Sequence, residues 1–273
     1  MGSEAHALIQ KYGLRAKKSW GQNFLVDERA YREIVHACAI GDGDWAVEIG
    51  AGLGTLTRRL ADSGAHVVAV ERERDMLDVL RAELGADARI EVVEANALTF
   101  DYTAVAPRAG RPPVVVGNLP YQIASPILFR LLDARASIAR IVVMLQKEMA
   151  DRIVAPPGEK AYGALSVMVR FYGEPKLVCR VRAGGFVPAP RVDSAVLRIV
   201  PHAAPPSVGE QQFSRVVHAA FGQRRKTLRN ALSAAFDVDA VDRALAAAAL
   251  DGKRRGETLS VAEFTTLTRA FDA

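Results

Sequence analysis

Short apolar runs alternate with helical stretches along the first half of this 273-residue chain. The runs comprise residues 44–50, 66–71, 90–96, 112–118 and 140–146. The stretches before and between them carry apolar residues at helical spacing, and they comprise residues 28–40, 55–64, 74–84 and 125–132. Because parallel strands need crossover connections, this alternation predicts an α/β fold in which both faces of a parallel sheet are covered.

The pattern changes after the fifth run. Residues 176–200 contain two β-like runs around a proline-rich loop, which predicts an antiparallel pair at the edge of the sheet and seven strands in all. Beyond a linker predicted at 202–206, only helical patterns remain. We therefore expect an α/β domain over residues 1–201, with an N-terminal arm at 1–27, and a small all-helical domain over residues 207–273.

Composition adds weaker constraints. Half of the residues are hydrophobic and a quarter are charged, as in ordinary globular proteins, and the net charge of +5 is compatible with a nucleic-acid partner. Cys38 and Cys179 lack metal-ligand spacing and suggest no disulfide framework, so we interpret them as core residues of a reduced cytosolic protein. No signal peptide or membrane-length apolar stretch is present. We expect a cytoplasmic monomer with no metal and no membrane partner.

A glycine-rich loop, VEIGAGLGTLT, follows the first predicted strand and opens a helix. Its glycines, Gly50, Gly52 and Gly54, follow Glu48 and let the backbone turn sharply beside a ligand. Dinucleotide sites separate the last two glycines by two residues, whereas here one residue separates them. The loop resembles motif I of S-adenosylmethionine-dependent methyltransferases, and Glu71 follows where an acid would bind ribose hydroxyls. Plain tight turns are the alternative, which the ordered strand, loop, helix, strand and acid disfavour.

Asn96 ends the third predicted strand, where such folds commonly carry an aspartate for the adenine amino group. The oxygen of an asparagine side chain can accept the same hydrogen bond without a charge. We therefore predict an adenine contact for Asn96, and a simple turn asparagine is the alternative.

The fourth predicted strand runs into NLPY, residues Asn118 to Tyr121. This tetrapeptide resembles the (N/D)PPY-type motif of enzymes that methylate exocyclic amines of adenine. Such an amine is a poor nucleophile, because its lone pair is delocalised into the ring. Hydrogen bonds to the Asn118 oxygen and to a backbone carbonyl, which we expect to be that of Leu119, would help it pyramidalise. Pro120 biases Leu119 away from the helical region.

Tyr121 can stack on a flipped base and stabilise positive charge on the amine. This chemistry requires positioning, with neither a covalent nucleophile nor a metal. A proline-containing turn that merely ends a strand is the alternative.

Several further stretches occur in a fixed order. They are KKSWGQNFLVD (17–27), MLQKEMADRI (144–153), YGALSV (162–167), GGFVPAPRVDSAVLRI (184–199), FGQRRKTLRNAL (221–232) and ETLSVAEF (257–264). Together with the loop and NLPY, they resemble the small-subunit (16S) ribosomal RNA adenine dimethyltransferases, the KsgA family. The resemblance covers residues 11–271.

The resemblance implies a Rossmann-like methyltransferase fold that uses S-adenosylmethionine. It implies two methyl transfers to each of two adjacent adenosines near the 3′ end of small-subunit RNA, with the 30S pre-particle as partner and a role in ribosome assembly. The implied cofactor residues are Asn23, Leu25, Gly50, Gly52, Glu71, Asn96 and Asn118.

One further residue role follows from the same resemblance. It implies that Phe186 sandwiches the target base opposite Tyr121. An ordinary core aromatic is the alternative for Phe186, and a helix cap is the alternative for Asn23.

A basic cluster opens the helical domain. QRRKTLR places Arg224, Arg225, Lys226 and Arg229 within two helical turns. The family uses this region against RNA, so we predict phosphate contacts here, and a solvated face is the alternative. The stretch GKRRGE (252–257) is either an extension of this patch or only a loop.

Three other functions compete with this interpretation. A large-subunit (23S) adenine methyltransferase of the antibiotic-resistance type shares the fold, but NLPY and PRVDS favour the small-subunit enzyme. A non-catalytic assembly factor that binds RNA is disfavoured by the intact Glu71 and Asn118–Tyr121. The glycine spacing argues against an NAD oxidoreductase.

Overall fold

The computed structural model describes residues 3–14, 22–204, 207–223 and 225–272. The chain forms two compact units, one of residues 1–150 and 176–201 and the other of residues 151–175 and 202–273. The second unit thus includes residues 151–175, which the sequence analysis placed in the α/β domain.

Nine strands form two sheets in the described part of the chain. They are β1 (Phe24–Leu25), β2 (Trp45–Ile49), β3 (His66–Glu71), β4 (Ile90–Glu94), β5 (Val114–Asn118), β6 (Arg140–Gln146), β7 (Gly173–Val181), β8 (Phe186–Val187) and β9 (Ser194–Pro201). The large sheet has the order β4-β3-β2-β5-β6-β9-β7. Its first five strands are parallel, and β9 runs antiparallel to β6. The predicted seven-stranded, mostly parallel sheet is confirmed.

The helices of the described residues occupy the connections and the C-terminal region. They are α1 (Glu4–Lys11), α2 (Glu28–Cys38), α3 (Thr55–Asp62), α4 (Arg74–Leu84), α5 (Val105–Ala109), α6 (Ala124–Asp133), α7 (Lys147–Val154), α8 (Ala164–Tyr172), α9 (Glu210–Gly222), α10 (Leu228–Leu232), α11 (Val238–Ala247) and α12 (Val261–Asp272). None of these helices is long and apolar enough to cross a membrane.

The apolar run of β5 stops at Gly117 because β2 comes too close for any other side chain. Gly117 is in register with Ile49, and a Cβ atom on Gly117 would lie 2.5 Å from the carbonyl oxygen of Ile49. This close approach holds the carboxyl ends of β2 and β5 side by side. Ligands of open α/β sheets bind outside these carboxyl ends.

Aromatic packing explains why residues 151–175 belong to the second unit. The ring of Phe171 in α8 stacks on that of Phe213 in α9, with 3.7 Å between ring centroids. The Tyr162 hydroxyl donates a hydrogen bond of 2.8 Å to the carbonyl oxygen of Leu259. Segments far apart in sequence thus share one core, which strand and helix patterns do not reveal.

Candidate active site

A cavity of about 410 Å³ opens at the carboxyl ends of the parallel strands in the first unit. This volume suits a small organic ligand. Its walls include the ends of β2, β3 and β5, the turn after β4, and the segment around β1. All of the predicted cofactor and catalytic residues line it, namely Asn23, Leu25, Gly50, Gly52, Glu71, Asn96, Asn118, Leu119, Pro120 and Tyr121.

The glycine loop forms one wall with its backbone. Gly50 and Gly52 have φ angles of 67° and 55°, in the left-handed region that side chains disfavour. The amide groups of Gly50 and Ala51 both donate to the carbonyl oxygen of Val70, which fixes the loop against β3. A Cβ atom on Gly50 would lie 3.9 Å from the carbonyl oxygen of Asn118 and would fill space at the junction of the two loops.

Glu71 is held by backbone amide groups at the end of β3. One carboxylate oxygen accepts from Gly52 N at 3.0 Å, and the other accepts from Arg72 N at 2.6 Å and Glu73 N at 2.9 Å. An ionised carboxylate offers about four acceptor positions. Glu71 can therefore accept a further hydrogen bond, and its position is fixed before any ligand arrives.

Glu48 is a buried carboxyl group in the cavity wall, with 3% of its surface exposed. Its Oε2 accepts a hydrogen bond of 2.5 Å from the Thr57 hydroxyl. Burial raises the pKa of Glu48 to about 8, and the negative charge of Glu71 adds to this, while the bond from Thr57 opposes it. The sequence analysis noted Glu48 within the loop motif but did not count it among the site residues.

The side-chain amide of Asn118 is oriented by the segment before β1. Its Nδ2 donates a hydrogen bond of 3.2 Å to the carbonyl oxygen of Asn23. Because this bond uses the donor end of the amide, Oδ1 is the end that can accept from a ligand. The next residue is also fixed, since Leu119 N donates to the carbonyl oxygen of Met144 at 3.1 Å.

Asn96 lines the cavity, and its side-chain amide is oriented by the turn that follows it. Its Oδ1 accepts a hydrogen bond of 3.0 Å from Leu98 N in the turn that follows β4. Asparagine commonly bonds the backbone two residues on in this way. This bond uses one of the two lone pairs of Oδ1, so the oxygen can still accept from a ligand, and Nδ2 can donate to one. The adenine contact of Asn96 stays a prediction.

Asn23 and Phe186 lie in different surroundings. The alternative of a helix cap for Asn23 is wrong, because Asp27 caps α2 by accepting from Arg29 N and Ala30 N.

Phe186 does not reach the cavity wall. It is 2% exposed and packs in a core cluster with Leu25, opposite it in the β1–β8 pair. This placement fits the alternative of an ordinary core aromatic.

The predicted basic cluster is only partly available for binding. Arg224 lies outside the described residues, and Arg225 and Lys226 are exposed before α10. Arg229 instead forms a two-pronged ion pair with Asp242, with N–O distances of 2.6 and 2.7 Å. This pairing uses two of the five N–H groups of the guanidinium and neutralises its charge, so Arg229 is a weaker candidate for phosphate contact than Arg225 and Lys226.

The stretch GKRRGE is bound to the start of α10 by backbone hydrogen bonds. Arg229 N donates to the carbonyl oxygen of Gly252 at 3.1 Å, and Leu228 N donates to that of Arg254 at 2.6 Å. Arg254 pairs with Glu263. Lys253 is exposed and, like Arg225 and Lys226, has no carboxylate partner within the described part of the second unit. We call these three residues the cationic patch.

The model of one protein family matches residues 13–272, almost the whole chain, and its description is ribosomal RNA adenine dimethylase. The chain belongs to this family. In the described part of the chain, no group of three or more His, Cys, Asp or Glu side chains is arranged so that it could hold a metal ion.

Individual relatives of this ribosomal RNA adenine dimethylase agree with the family match. Ribosomal RNA small subunit methyltransferase A of Anaeromyxobacter dehalogenans is 48% identical over 97% of this chain and 96% of its own length. The crystal structure of the 23S rRNA methyltransferase ErmE is 27% identical, with a TM-score of 0.73, and covers 92% of this chain and 100% of its own. A dimethyladenosine transferase structure from Plasmodium falciparum, 24% identical over 89% and 95% of the two chains, has a TM-score of 0.77 and the same fold.

Replacing Glu48 by glutamine should remove a pH dependence of stability. The pKa of this acid is 4.5 when unperturbed and about 8 in the folded protein, so its stabilising effect is complete below pH 4.5 and is lost as the pH rises toward 8. Glu48→Gln keeps an acceptor for Thr57 but cannot ionise. Between these pH values, the unfolding free energy of the wild type should fall relative to the variant by about 1.4 kcal/mol per pH unit.

Urea unfolding of both proteins at pH 5, 6.5 and 8 measures this difference. A constant difference across these pH values would show that Glu48 does not carry the expected raised pKa.

Proposed function

We propose that this protein transfers methyl groups from S-adenosylmethionine to the N6 amines of two adjacent adenosines near the 3′ end of small-subunit (16S) ribosomal RNA. The product is N6,N6-dimethyladenosine at both positions, and the reaction belongs to small-subunit biogenesis. The observation that carries the chemistry is the orientation of Asn118, whose Nδ2 is bound to Asn23 and whose Oδ1 is left to accept from an amine.

The cavity fits the cofactor. A glycine cradle, a fixed carboxylate able to accept one more hydrogen bond, and a volume of about 410 Å³ match a nucleoside with a short amino-acid arm. When bound, S-adenosylmethionine supplies an electrophilic methyl group on its sulfonium. Glu71 would hold the ribose hydroxyls, Asn96 the adenine, and the remaining contacts would come from Asn23, Leu25, Gly50, Gly52 and Asn118. We propose no metal for this reaction.

The NLPY turn would position the acceptor amine. Asn118 Oδ1 accepts a hydrogen bond from one N–H, and the Leu119 carbonyl accepts from the other. These two bonds favour a pyramidal nitrogen whose lone pair is available to the methyl group. Tyr121 stacks on the base and stabilises the positive charge that develops on the amine. The proton lost from the amine passes to solvent.

The small-subunit substrate is favoured over the large-subunit one by the degree of relatedness. The relative named a small subunit methyltransferase is 48% identical to this chain, whereas the 23S rRNA methyltransferase ErmE is 27% identical. The intact amine-binding turn also favours an active enzyme over a non-catalytic assembly factor.

The cationic patch would bind the RNA backbone. Arg225, Lys226 and Lys253 are exposed, and in the described part of the second unit none is neutralised by a carboxylate. Exposed cations of this kind contact phosphates and supply affinity that depends on salt. We propose the 30S pre-particle as the partner, and we propose that the protein acts as a monomer in the cytoplasm.

Asn118→Ala should reduce methyl transfer by about 100-fold or more, because it removes a contact to the reacting amine. Asn118→Asp keeps an acceptor and should retain more activity than the alanine variant. The measurement is nucleoside mass spectrometry of small-subunit particles that lack the modification, after incubation with each protein and S-adenosylmethionine.

Dimethyladenosine confined to the 3′-terminal region of the RNA is the expected product of the wild type. A fully active Asn118→Ala protein would disprove the amine-binding mechanism. A wild-type protein that binds the particle tightly without methylating it would instead favour the assembly factor.

Replacing the cationic patch by alanine, as Arg225→Ala, Lys226→Ala and Lys253→Ala together, should weaken RNA binding. The slope of log affinity against log salt concentration should flatten by about 2, since each lost phosphate contact removes about 0.7–0.9. The matched control is Arg229→Ala, which removes a cation already paired with Asp242 and should leave the slope nearly unchanged. An unchanged slope in the triple variant would show that the patch faces solvent and does not contact phosphates.

Asn96→Asp should change the selectivity of the site between adenine and a 6-oxo purine. Because Asn96 carries the donor Nδ2 as well as an oxygen with a remaining lone pair, it can bond a 6-amino or a 6-oxo purine, whereas an aspartate would accept from the adenine amine and repel a 6-oxo group. Calorimetry should therefore give the wild type similar affinities, within about 10-fold, for S-adenosylhomocysteine and S-inosylhomocysteine. The variant should bind the adenosyl compound more tightly and discriminate by more than about 10-fold. Strong preference for the adenosyl compound in the wild type would contradict the observed amide orientation.

A further inference from the structure

Ser194 is a completely buried polar residue directly behind the NLPY turn. It is the first residue of β9, and its exposed fraction is 0%. Its Oγ lies 2.7 Å from the hydroxyl oxygen of Tyr121, a hydrogen-bonding distance. Ser194 is not part of the cavity wall, so any effect it has on a bound base must pass through Tyr121.

The backbone around Ser194 is firmly held. Ser194 is in register with Gln146 of β6, and the preceding residue, Asp193, accepts a hydrogen bond from Lys147 N at 2.9 Å. The Asp193 side chain accepts from Ala183 N at 3.0 Å, which ties the segment to the loop before β8. The Ser194 hydroxyl is thus a fixed point in the sheet.

Tyr121 lies in a less regular part of the chain, between the end of β5 and the start of α6. In this turn, Leu119 N donates to the carbonyl oxygen of Met144 and Ile123 N to that of Pro120, and neither bond involves Tyr121 itself. The bond to Ser194 therefore anchors the far end of the tyrosine ring to the sheet. Burial raises the pKa of the Tyr121 phenol, so the hydroxyl stays protonated at neutral pH.

We propose that Ser194 is a positioning residue that fixes the far end of the Tyr121 ring and, through it, the orientation of the stacked target adenine. The proposal rests on the function proposed above. An anchored ring directs the amine of the base toward Asn118 Oδ1, whereas an unanchored ring would let the base tilt away. Small misplacements of reacting groups are costly, since a shift of about 1 Å can slow a reaction about 100-fold.

A double-mutant cycle tests the proposal. Ser194→Ala and Tyr121→Phe each remove the same hydrogen bond and leave the aromatic ring in place. Each should lower the single-turnover rate of methyl transfer about 10-fold or more, and the double variant should be no slower than either single one. The affinity for S-adenosylhomocysteine, measured by calorimetry, should not change. Independent effects that multiply in the double variant, or a wild-type rate in Ser194→Ala, would overturn the proposal.

Ser166→Ala is the matched control. Ser166 is also completely buried and hydrogen-bonded, to Gly163 N and to the carbonyl oxygen of Arg152, but it lies in the second unit. Its loss should lower stability without changing the methylation rate of folded protein. If Ser166→Ala slowed methylation as much as Ser194→Ala, the proposal would be overturned. Such a result would show that the loss of any buried hydrogen bond slows the reaction.

A second measurement needs no activity. In protein labelled with 3-fluorotyrosine, the ¹⁹F resonance of Tyr121 is assigned by its absence in Tyr121→Phe. It should shift or narrow in Ser194→Ala, because the ring gains freedom, and stay in place in Ser166→Ala. An unchanged resonance in Ser194→Ala would disprove the anchor. A wild-type protein that transfers no methyl group would contradict the proposed function, but it would not affect this test of the anchor.

Discussion

The close approach of β5 to β2 is the constraint on which the site depends. Where Gly117 faces Ile49, there is no room for a Cβ atom, and the two strands end side by side. The loop that follows β2 carries the glycine cradle, and the turn that follows β5 carries Asn118. A larger residue at position 117 would therefore separate the two walls of the cavity as well as disturb the sheet.

Polar groups in the cavity are oriented by the protein before a ligand binds. Glu71 is held by three backbone amides, Asn118 by the Asn23 carbonyl, and Asn96 by the amide of Leu98. Each of these bonds leaves a defined donor or acceptor facing the ligand. Preorganised groups of this kind favour catalysis, because little reorganisation is needed when charge develops on the reacting amine.

The parts of the molecule that sequence predicted well depend on local patterns. Hydrophobic periodicity predicted β2 to β6 and the helices α2, α3, α4 and α6 closely, but not the short elements α1, β1 and α5. The chain order of parallel strands brought Gly50, Glu71, Asn96 and Asn118 to one edge. These residues gather because each follows a strand in the same sheet. Their types alone then indicated a cofactor and an amine acceptor.

The features that sequence did not predict depend on distant partners. The core position of Phe186 comes from the pairing of β8 with β1, and the pairing of Arg229 comes from Asp242 on another helix. Residues 151–175 join the second unit through Phe171 and Phe213. The orientation of the Asn96 amide results from a local hydrogen bond. Because an amide can exchange the positions of its oxygen and nitrogen by a half turn, the residue type alone did not determine this orientation.

The two basic stretches of the second unit are joined through main-chain atoms. Arg229 N and Leu228 N bond the carbonyl oxygens of Gly252 and Arg254, and these main-chain bonds do not depend on the charged side chains of Lys253 and Arg254. The number and type of charges on this surface can therefore change during evolution while its shape is kept. Under the RNA-binding role proposed for the cationic patch, a family member could adjust its affinity for RNA one side chain at a time, without refolding the segment that presents these side chains.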